Sequence, residues 1–259
     1  MGHDNGLSHD EQYSTATTVE EFRTNVAEVE RRIAAAAERA GRDITDIELL
    51  PVSKTVPQER IRLAVAAGCT KLGENKVQEA HRKAEEMSDL DIDWAVIGHL
   101  QSNKAKFVAQ FASEFQALDR LKVARALDRR LQGEGRTLDV YVQVNTSAED
   151  SKFGMPPEEL LGFLKEVRAF DSLNVQGLMT LALFSSDIDR VRPCFQMLRS
   201  LRDQVRETDP DLLGPGRLSM GMSGDFEVAI EEGANCVRVG QAIFGKRALP
   251  DSYYWPEAD

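Results

Sequence analysis

Paired cysteines, clustered histidines and long apolar runs are all scarce in this chain. Its 259 residues include 3 cysteines and 4 histidines, and the histidines show no metal-ligand spacing. Cys69, Cys194 and Cys236 stand far apart and form no CxxC pair, which argues against a disulfide framework and against a zinc site. We expect them to be small buried side chains in a reducing cytoplasm. No apolar run approaches the ~20 residues that a membrane-spanning helix needs.

Positive charge is also in short supply. The chain has 32 lysines and arginines against 43 aspartates and glutamates, a formal net charge of −11. Nucleic acids and anionic membranes are attracted by basic surfaces, so we expect neither as a partner. The first residues, MGHDNGLSHDEQ, lack the basic and apolar segments of a secretory signal, which favours a cytoplasmic location. Any anionic ligand must then be held by a local site.

The first clear element is a helix that begins near residue 18. Thr18 and Glu21 have the spacing of a capping box, apolar residues then recur every three or four positions, and Gly41 suits the C-terminal end. Residues 1–17 are polar and unpatterned, and we expect a flexible tail there. We expect a second short tail over residues 251–259.

Beyond Gly41, short apolar runs alternate with amphipathic stretches. The predicted strands are Ile47–Ser53, Thr70–Gly73, Asp93–Gly98, Phe115–Leu118, Asp139–Asn145, Val175–Thr180, Leu218–Met220 and Cys236–Val239. The predicted helices between them cover residues 57–66, 75–87, 103–111, 120–132, 157–170, 187–207 and 225–232. Pro193 is expected to kink the helix over 187–207 or to delay its start.

This alternation predicts one α/β domain over residues 18–250. Strands that alternate with helices indicate a parallel sheet covered by helices. Eight such units in about 250 residues fit a closed (β/α)₈ TIM barrel with an extra N-terminal helix. The alternative is an open, doubly wound sheet.

Lys54 is the first candidate functional residue, because it directly follows the first predicted strand. Barrel enzymes place their sites at the C-terminal ends of strands. Burial there lowers the pKa of an amine and frees its lone pair to attack a carbonyl, which a Schiff base requires. The alternative is a lysine whose stem lines the barrel and whose amine pairs with a carboxylate.

Two glycine-bearing segments, SMGMSGD and VRVGQAIFG, follow the seventh strand and span the eighth. Small residues let backbone amides approach an anion closely, and the loops after strands seven and eight commonly bind phosphate in barrels. The alternative is that Gly221 and Gly224 only form turns. A lysine and a phosphate site on one rim suggest a phosphorylated aldehyde, namely pyridoxal 5′-phosphate.

Seven ordered motifs then resemble a known family. PVSKT, GEN-x-VQE, IGHLQSNK, VNTSAEDSKFG, GLMT, LSMGMSGDFEVAI and RVGQAIFG, from about residue 20 to 247, are similar to the YggS/PROSC family of pyridoxal phosphate homeostasis proteins. The resemblance implies a fold type III barrel like that of alanine racemase, without the second racemase domain. It also implies reversible binding of pyridoxal 5′-phosphate and a role in vitamin B6 homeostasis, with pyridoxal-phosphate-dependent apo-enzymes as candidate partners. We expect a monomer, because no exposed hydrophobic stripe stands out in the sequence and no dimerising domain is predicted.

The resemblance also implies roles for particular residues. Lys54 matches the lysine that forms the Schiff base, Asn75 a cofactor contact, Met179 a ring contact and Arg238 the arginine that faces the pyridine nitrogen. The implied phosphate site comprises Ser219, Ser223 and the amides of Gly240 and Gln241. Three positions depart from the family pattern: Gln241 stands where a hydroxyl residue is usual, Ala95–Val96 where His-Phe is common, and Leu183 where proline is frequent.

A pyridoxal-phosphate-dependent racemase or lyase is the alternative function. Racemisation needs an acid/base group opposite the lysine. Tyr141 is expected to lie far from the rim, and Tyr253 and Tyr254 could serve only if the C-terminal tail folds over the barrel mouth, whereas we expect them to pack on the barrel exterior. We expect His99 to orient its loop rather than to transfer protons, so no catalytic residue and no metal site are predicted. The four tyrosines are Tyr13, Tyr141, Tyr253 and Tyr254, the last two beside Trp255 in the C-terminal tail. A third hypothesis is a sugar-phosphate aldolase that uses Lys54.

Overall fold

Eight parallel strands form the centre of the molecule. The structure, a computed structural model, describes residues 13–147, 149, 153–185 and 187–246. The strands are β1 (Glu48–Pro51), β2 (Lys71–Glu74), β3 (Asp93–Val96), β4 (Glu114–Leu118), β5 (Leu138–Gln143), β6 (Leu173–Met179), β7 (Arg217–Ser219) and β8 (Cys236–Val239). Their order is β1-β8-β7-β6-β5-β4-β3-β2, and a parallel bridge between Val52 and Gly73 joins the two ends. The sheet therefore curls into a barrel, and the open-sheet alternative is wrong.

Of the nine α-helices described, seven connect successive strands on the outside of this barrel, while the first precedes β1 and the last follows β8. The helices are α1 (Val19–Arg39), α2 (Gln58–Ala66), α3 (Val77–Glu86), α4 (Ala105–Phe111), α5 (Leu121–Glu134), α6 (Leu160–Val167), α7 (Ile188–Thr208), α8 (Phe226–Glu231) and α9 (Gln241–Phe244). All eight predicted strands and all seven predicted inter-strand helices are present, with ends shifted by a few residues. The four-residue α9 was not predicted.

Helix α7 corrects one expectation about Pro193. The helix begins at Ile188, one residue after its predicted start, and runs through Pro193. Its start is therefore not delayed. Asp187 caps it, because its side chain accepts a hydrogen bond from the Asp189 amide, and this satisfies one of the amides that a helix start leaves unbonded.

Helix α1 has the predicted capping box. The Glu21 amide donates to Thr18 Oγ1 at 3.2 Å, and the Thr18 amide donates to Glu21 Oε2 at 3.0 Å. The buried face of α1 packs on α8 and α9, where the rings of Phe22 and Phe244 lie 5.5 Å apart. This helix therefore covers the outside of the barrel beside β8.

The segment just before α1 also lies against the barrel. Ala16 is buried, and its carbonyl oxygen accepts a hydrogen bond from Arg60 Nε at 2.8 Å. The rest of the predicted N-terminal tail, residues 1–12, and the predicted C-terminal tail with Tyr253, Tyr254 and Trp255 lie outside the described residues.

Candidate functional site

Lys54 lies in a tight turn at the C-terminal end of β1. The Val56 amide donates to the Ser53 carbonyl oxygen at 3.0 Å and closes the turn. Thr55, which follows the lysine, has a φ of 65°, a left-handed conformation that is costly for a β-branched residue. Lys54 itself is buried, with 8% of its surface exposed. The structure thus places this lysine at the barrel rim, as predicted, on a strained stretch of backbone.

A buried ion pair supports this turn. Lys83 Nζ, from α3, donates to the Ser53 carbonyl oxygen at 3.0 Å and to Glu74 Oε1 at 2.7 Å. The Ser53 hydroxyl donates to the same Glu74 oxygen at 2.6 Å. Burial raises the pKa of the Glu74 carboxyl, and the neighbouring Lys83 ammonium opposes that rise. Two side chains from other elements therefore hold the residue that precedes Lys54.

Lys83 was not among the predicted site residues, although the sequence contains a signal for its burial. Lys83 shares a face of α3 with Val77 and Ala80, at spacings typical of a buried helix stripe. A lysine on such a stripe is rarely buried unless a partner compensates its charge. That partner, Glu74, ends the neighbouring β2.

Asn75 follows β2 and is half-buried beside this ion pair. Its side-chain oxygen is buried and has no hydrogen-bond partner among the described residues. A Cβ added to Gly98 would lie 1.9 Å from the Asn75 carbonyl oxygen, so only glycine allows this approach. The unpaired Asn75 oxygen is an acceptor that a bound ligand could satisfy, which fits the cofactor contact implied for this residue.

Arg238 is buried inside the barrel on β8. Its Nη1 donates to Ser219 Oγ at 2.5 Å, and its Nη2 donates to the Thr180 carbonyl oxygen at 2.7 Å. Burial lowers the pKa of the guanidinium. Met179, which precedes Thr180 at the end of β6, is fully buried. Strands β6, β7 and β8 therefore bring Met179, Ser219 and Arg238 together at one end of the barrel.

The two glycine-bearing loops also meet at this end. The Gly240 amide donates to Ser223 Oγ at 3.2 Å, and the Arg238 amide donates to the Gly221 carbonyl oxygen at 3.0 Å. Gly221 has a φ of 96°, and a Cβ on it would lie 2.7 Å from the Ala229 Cβ. Because only glycine suits this backbone, the loop can bring Ser223 against Gly240. Gln241 begins α9 and is half-buried.

Strand order explains how distant motifs form one site. Val239 on β8 pairs with Pro51 on β1, and Ser219 on β7 pairs with Met179 on β6. The strand ends that carry the eight predicted residues are therefore consecutive around the barrel: β2, β1, β8, β7 and β6. All eight lie at the C-terminal ends of these strands, which is where barrel sites occur.

His99 lies farther around the same rim. Its ring stacks on Phe153 with centroids 4.0 Å apart, and its Nε2 lies 2.9 Å from Arg120 Nη2. These contacts support its expected role in orienting the loop. A cavity of about 300 Å³ lies nearby, and it is lined by residues other than the predicted cofactor set, namely Gln101, Ser102, Asn103, Arg120, Lys122 and Val123.

Tyr141 does not lie where a second acid/base group would be needed. It is buried within β5, beside Gly177 of β6, rather than at the strand ends. Burial raises the pKa of its hydroxyl well above the usual value. A phenol of this kind has little tendency to exchange protons near neutral pH, so the structure provides no support for a racemase role of Tyr141.

Among the residues that the structure describes, no group of three or more His, Cys, Asp or Glu side chains is arranged to hold a metal ion. Across the same residues, no helix combines the length and the apolar character needed to cross a membrane.

Comparison with known proteins identifies the family. Residues 24–248 match the model of the alanine racemase N-terminal domain. The pyridoxal phosphate homeostasis protein of Aquifex aeolicus is 42% identical over 223 residues, which cover 86% of this chain and 96% of that protein.

Solved structures agree with this assignment. PipY of Synechococcus elongatus PCC7942 with PLP bound is 32% identical, with a TM-score of 0.73 over 84% of this chain and 100% of PipY. An alanine racemase of Clostridium difficile 630 shares the fold at 15% identity, with a TM-score of 0.66 over 90% of this chain and 58% of the racemase. The chain therefore belongs to the family of pyridoxal phosphate homeostasis proteins, built on the alanine racemase N-terminal barrel.

Proposed function

We propose that this protein binds pyridoxal 5′-phosphate reversibly and acts in pyridoxal phosphate homeostasis. The observation that carries the proposal is the meeting of a buried lysine, an arginine and two phosphate-type loops on consecutive strand ends. Curated relatives are named for this role, and PipY, which is similar over most of the chain, has been solved with PLP bound.

In this proposal, Lys54 holds the cofactor covalently. The pyridoxal group supplies an aldehyde carbon that an amine can attack. The Lys54 amine forms a carbon–nitrogen double bond with that carbon, and the aldehyde oxygen leaves as water together with two protons of the amine. Water reverses the reaction, so the link can also release its cargo. The anchored Ser53–Val56 turn keeps the amine at the barrel rim, where both the formation of the carbon–nitrogen bond and its hydrolysis by water can take place.

The loops after β7 and β8 hold the anionic end. Ser223 contributes a hydroxyl, and Gln241 contributes an amide. Ser219 and the Gly240 amide were also predicted for this site, but in this structure they donate to Gln116 Oε1 at 2.7 Å and to Ser223 Oγ at 3.2 Å. Amides and hydroxyls that converge on one point suit a phosphate, because each donates to its oxygens. Because Gln241 has no hydroxyl, its contribution is expected to come from the backbone.

Arg238 determines whether the pyridine nitrogen of the bound cofactor is protonated. A guanidinium donates hydrogen bonds and stays charged, so it leaves a facing ring nitrogen unprotonated. An unprotonated ring is a weak electron sink, which disfavours carbanion chemistry at a bound amino acid. This favours a carrier over the racemase or lyase alternative. We further propose a cytoplasmic monomer that supplies pyridoxal-phosphate-dependent apo-enzymes.

Borohydride reduction followed by peptide mass mapping tests the proposal. The purified protein is incubated with pyridoxal 5′-phosphate and reduced, and we expect the mass of the reduced pyridoxyl phosphate on the peptide that contains Lys54. Lys54→Ala should fold and lose this adduct. Labelling that stays unchanged in Lys54→Ala would contradict the assignment. Rapid α-deuteration of L-alanine in deuterium oxide would instead support the racemase alternative.

A further inference from the structure

A line of hydrogen bonds crosses the barrel interior and ends at Arg238. Arg238 Nη1 donates to Ser219 Oγ at 2.5 Å, and the Ser219 hydroxyl donates to Gln116 Oε1 at 2.7 Å. Gln116 Nε2 donates to Glu114 Oε1 at 2.6 Å, and Lys71 Nζ donates to Glu114 Oε2 at 3.0 Å. We call these four bonds the Glu114–Arg238 chain. None of Glu114, Gln116 and Lys71 was predicted as a site residue.

The donor and acceptor groups of these side chains allow only one direction of hydrogen-bond donation along the Glu114–Arg238 chain. The Glu114 carboxylate, paired with Lys71, only accepts hydrogen bonds, so Gln116 must turn its NH₂ group towards it. The Gln116 oxygen then faces Ser219, whose hydroxyl must donate to it. A lone pair of Ser219 Oγ is thereby left facing the Arg238 guanidinium. The orientation of every group follows from the charge on Glu114.

The chain also connects a buried cation to a carboxylate. Arg238 has 2% of its surface exposed, and the hydrogen bonds described for its guanidinium end on the neutral oxygens of Ser219 and Thr180. Buried ions are costly unless oriented dipoles or opposite charges compensate them. Ser219 and Gln116 supply such dipoles, each aligned by the negative charge of Glu114.

A second carboxylate contacts the same lysine without joining the chain. Lys71 Nζ donates to Glu48 Oε1 at 2.6 Å, and Arg217 Nη2 donates to Glu48 Oε2 at 3.1 Å. Glu48 and Glu114 therefore share Lys71, but only Glu114 bonds to Gln116. This difference makes Glu48 a matched control.

We infer that Gln116 and Glu114 are positioning residues which, through Ser219, hold the Arg238 guanidinium in the orientation that meets the bound cofactor. The inference rests on the proposed function. Neither residue needs to touch the ligand, because each acts through the next member of the chain. The Ser219 hydroxyl thus serves Arg238, while Ser223 remains available to the phosphate.

Substitutions at the far end of the chain test the inference. In Glu114→Gln, residue 114 can present either end of its amide, so Gln116 and Ser219 lose their fixed orientation. Gln116→Met removes both hydrogen bonds with little change in length. For both variants we expect the dissociation constant for pyridoxal 5′-phosphate to rise about tenfold and the visible absorption maximum of the bound cofactor to shift.

Two controls separate positioning from general destabilisation. Glu48→Gln removes the other carboxylate on Lys71, and Gln143→Met removes a buried amide that bonds the Phe153 carbonyl oxygen instead. Both should keep the wild-type absorption maximum and affinity. Far-ultraviolet circular dichroism verifies folding of every variant, and the isosteric Glu114→Gln keeps the test decisive if Gln116→Met does not fold.

The outcomes are distinct. The inference is overturned if Glu114→Gln and Gln116→Met both fold and keep the wild-type affinity and absorption maximum. It is also overturned if Glu48→Gln and Gln143→Met change affinity and absorption maximum to the same extent. If neither chain variant folds while Glu48→Gln does, the chain is a folding element and the positioning role is rejected. A wild-type protein that binds no pyridoxal 5′-phosphate would overturn the proposed function, and this inference with it.

Discussion

The Lys83 ammonium lies 2.7 Å from the Glu74 carboxylate, with both side chains buried, and also donates to the carbonyl oxygen of Ser53. One helix side chain thus connects the end of β2 to the turn that presents Lys54. Breaking a buried ion pair by removal of one partner costs about 3–5 kcal/mol, because the other charge is left uncompensated. The pair therefore contributes to both the stability and the geometry of the site.

Lys83→Met is expected to lower the free energy of unfolding by about 3 kcal/mol at pH 8 and by less at pH 5. Burial already raises the pKa of Glu74, and loss of Lys83 raises it further. The folded variant then favours a protonated carboxyl, so its stability increases as the pH falls. Chemical denaturation at the two pH values measures the effect.

Arg82→Met is the matched control, since it removes a positive charge from the exposed face of the same helix. Its stability should stay within about 0.5 kcal/mol of wild type at both pH values. If Lys83→Met behaved in the same way, Lys83 would not be supporting the turn.

Gly98→Ala is expected to displace the segment that carries Asn75. The added Cβ would lie 1.9 Å from the Asn75 carbonyl oxygen, and backbone cannot yield as a flexible side chain can. We expect a loss of about 1–3 kcal/mol in stability, together with weaker binding of pyridoxal 5′-phosphate. Gly162→Ala in α6, where a Cβ meets nothing within 4 Å, should stabilise the protein instead. Thermal unfolding of both variants tests the contrast.

Ser223→Ala is expected to weaken binding of pyridoxal 5′-phosphate about tenfold, because a hydrogen bond to a charged group contributes about 1.5–3 kcal/mol. Pyridoxal, which lacks the phosphate, should bind wild type and variant equally. Spectroscopic titration with both compounds provides the measurement. An equal loss for both would place Ser223 away from the phosphate.

The buried cysteines are expected to resist alkylation. Burial raises the pKa of Cys69 to about 11 and that of Cys236 to about 12. At pH 8 the Cys69 thiolate should therefore be about 100-fold rarer than in the unfolded chain. Iodoacetamide followed by mass spectrometry should label both residues only after denaturation, and rapid labelling of the native protein would contradict their burial.

The raised pKa values of these thiols also make the free energy of unfolding depend on pH. The folded pKa of Cys69 lies above the ordinary thiol value of 9.0, so the unfolded chain releases its proton first. The contribution of this residue is full below pH 9 and is lost as the pH rises towards 11. Urea denaturation at pH 7.5 and pH 10 should show lower stability at the higher pH, and Cys69→Ala should reduce the difference.

Local patterns were enough to predict the barrel and the rim on which its candidate site residues lie. Each strand is a short apolar run, each helix has a periodic face, and both signals involve residues that are close in sequence. The rule that barrel sites lie at strand C-termini then placed Lys54 and the loops around Ser223 and Gly240 on one rim. The capping box of Thr18 and Glu21 was equally local, and the structure contains it.

Tertiary structure alone decided what supports those residues. Lys83 pairs with Glu74 because α3 packs behind the turn after β1, and Glu114 connects to Arg238 because β4 faces β7 and β8 across the barrel. Such partners are far apart in sequence, and their side chains are ordinary charged or amide groups without a motif. Charge compensation inside a barrel depends on which strands face each other, and that arrangement exists only after the sheet has closed.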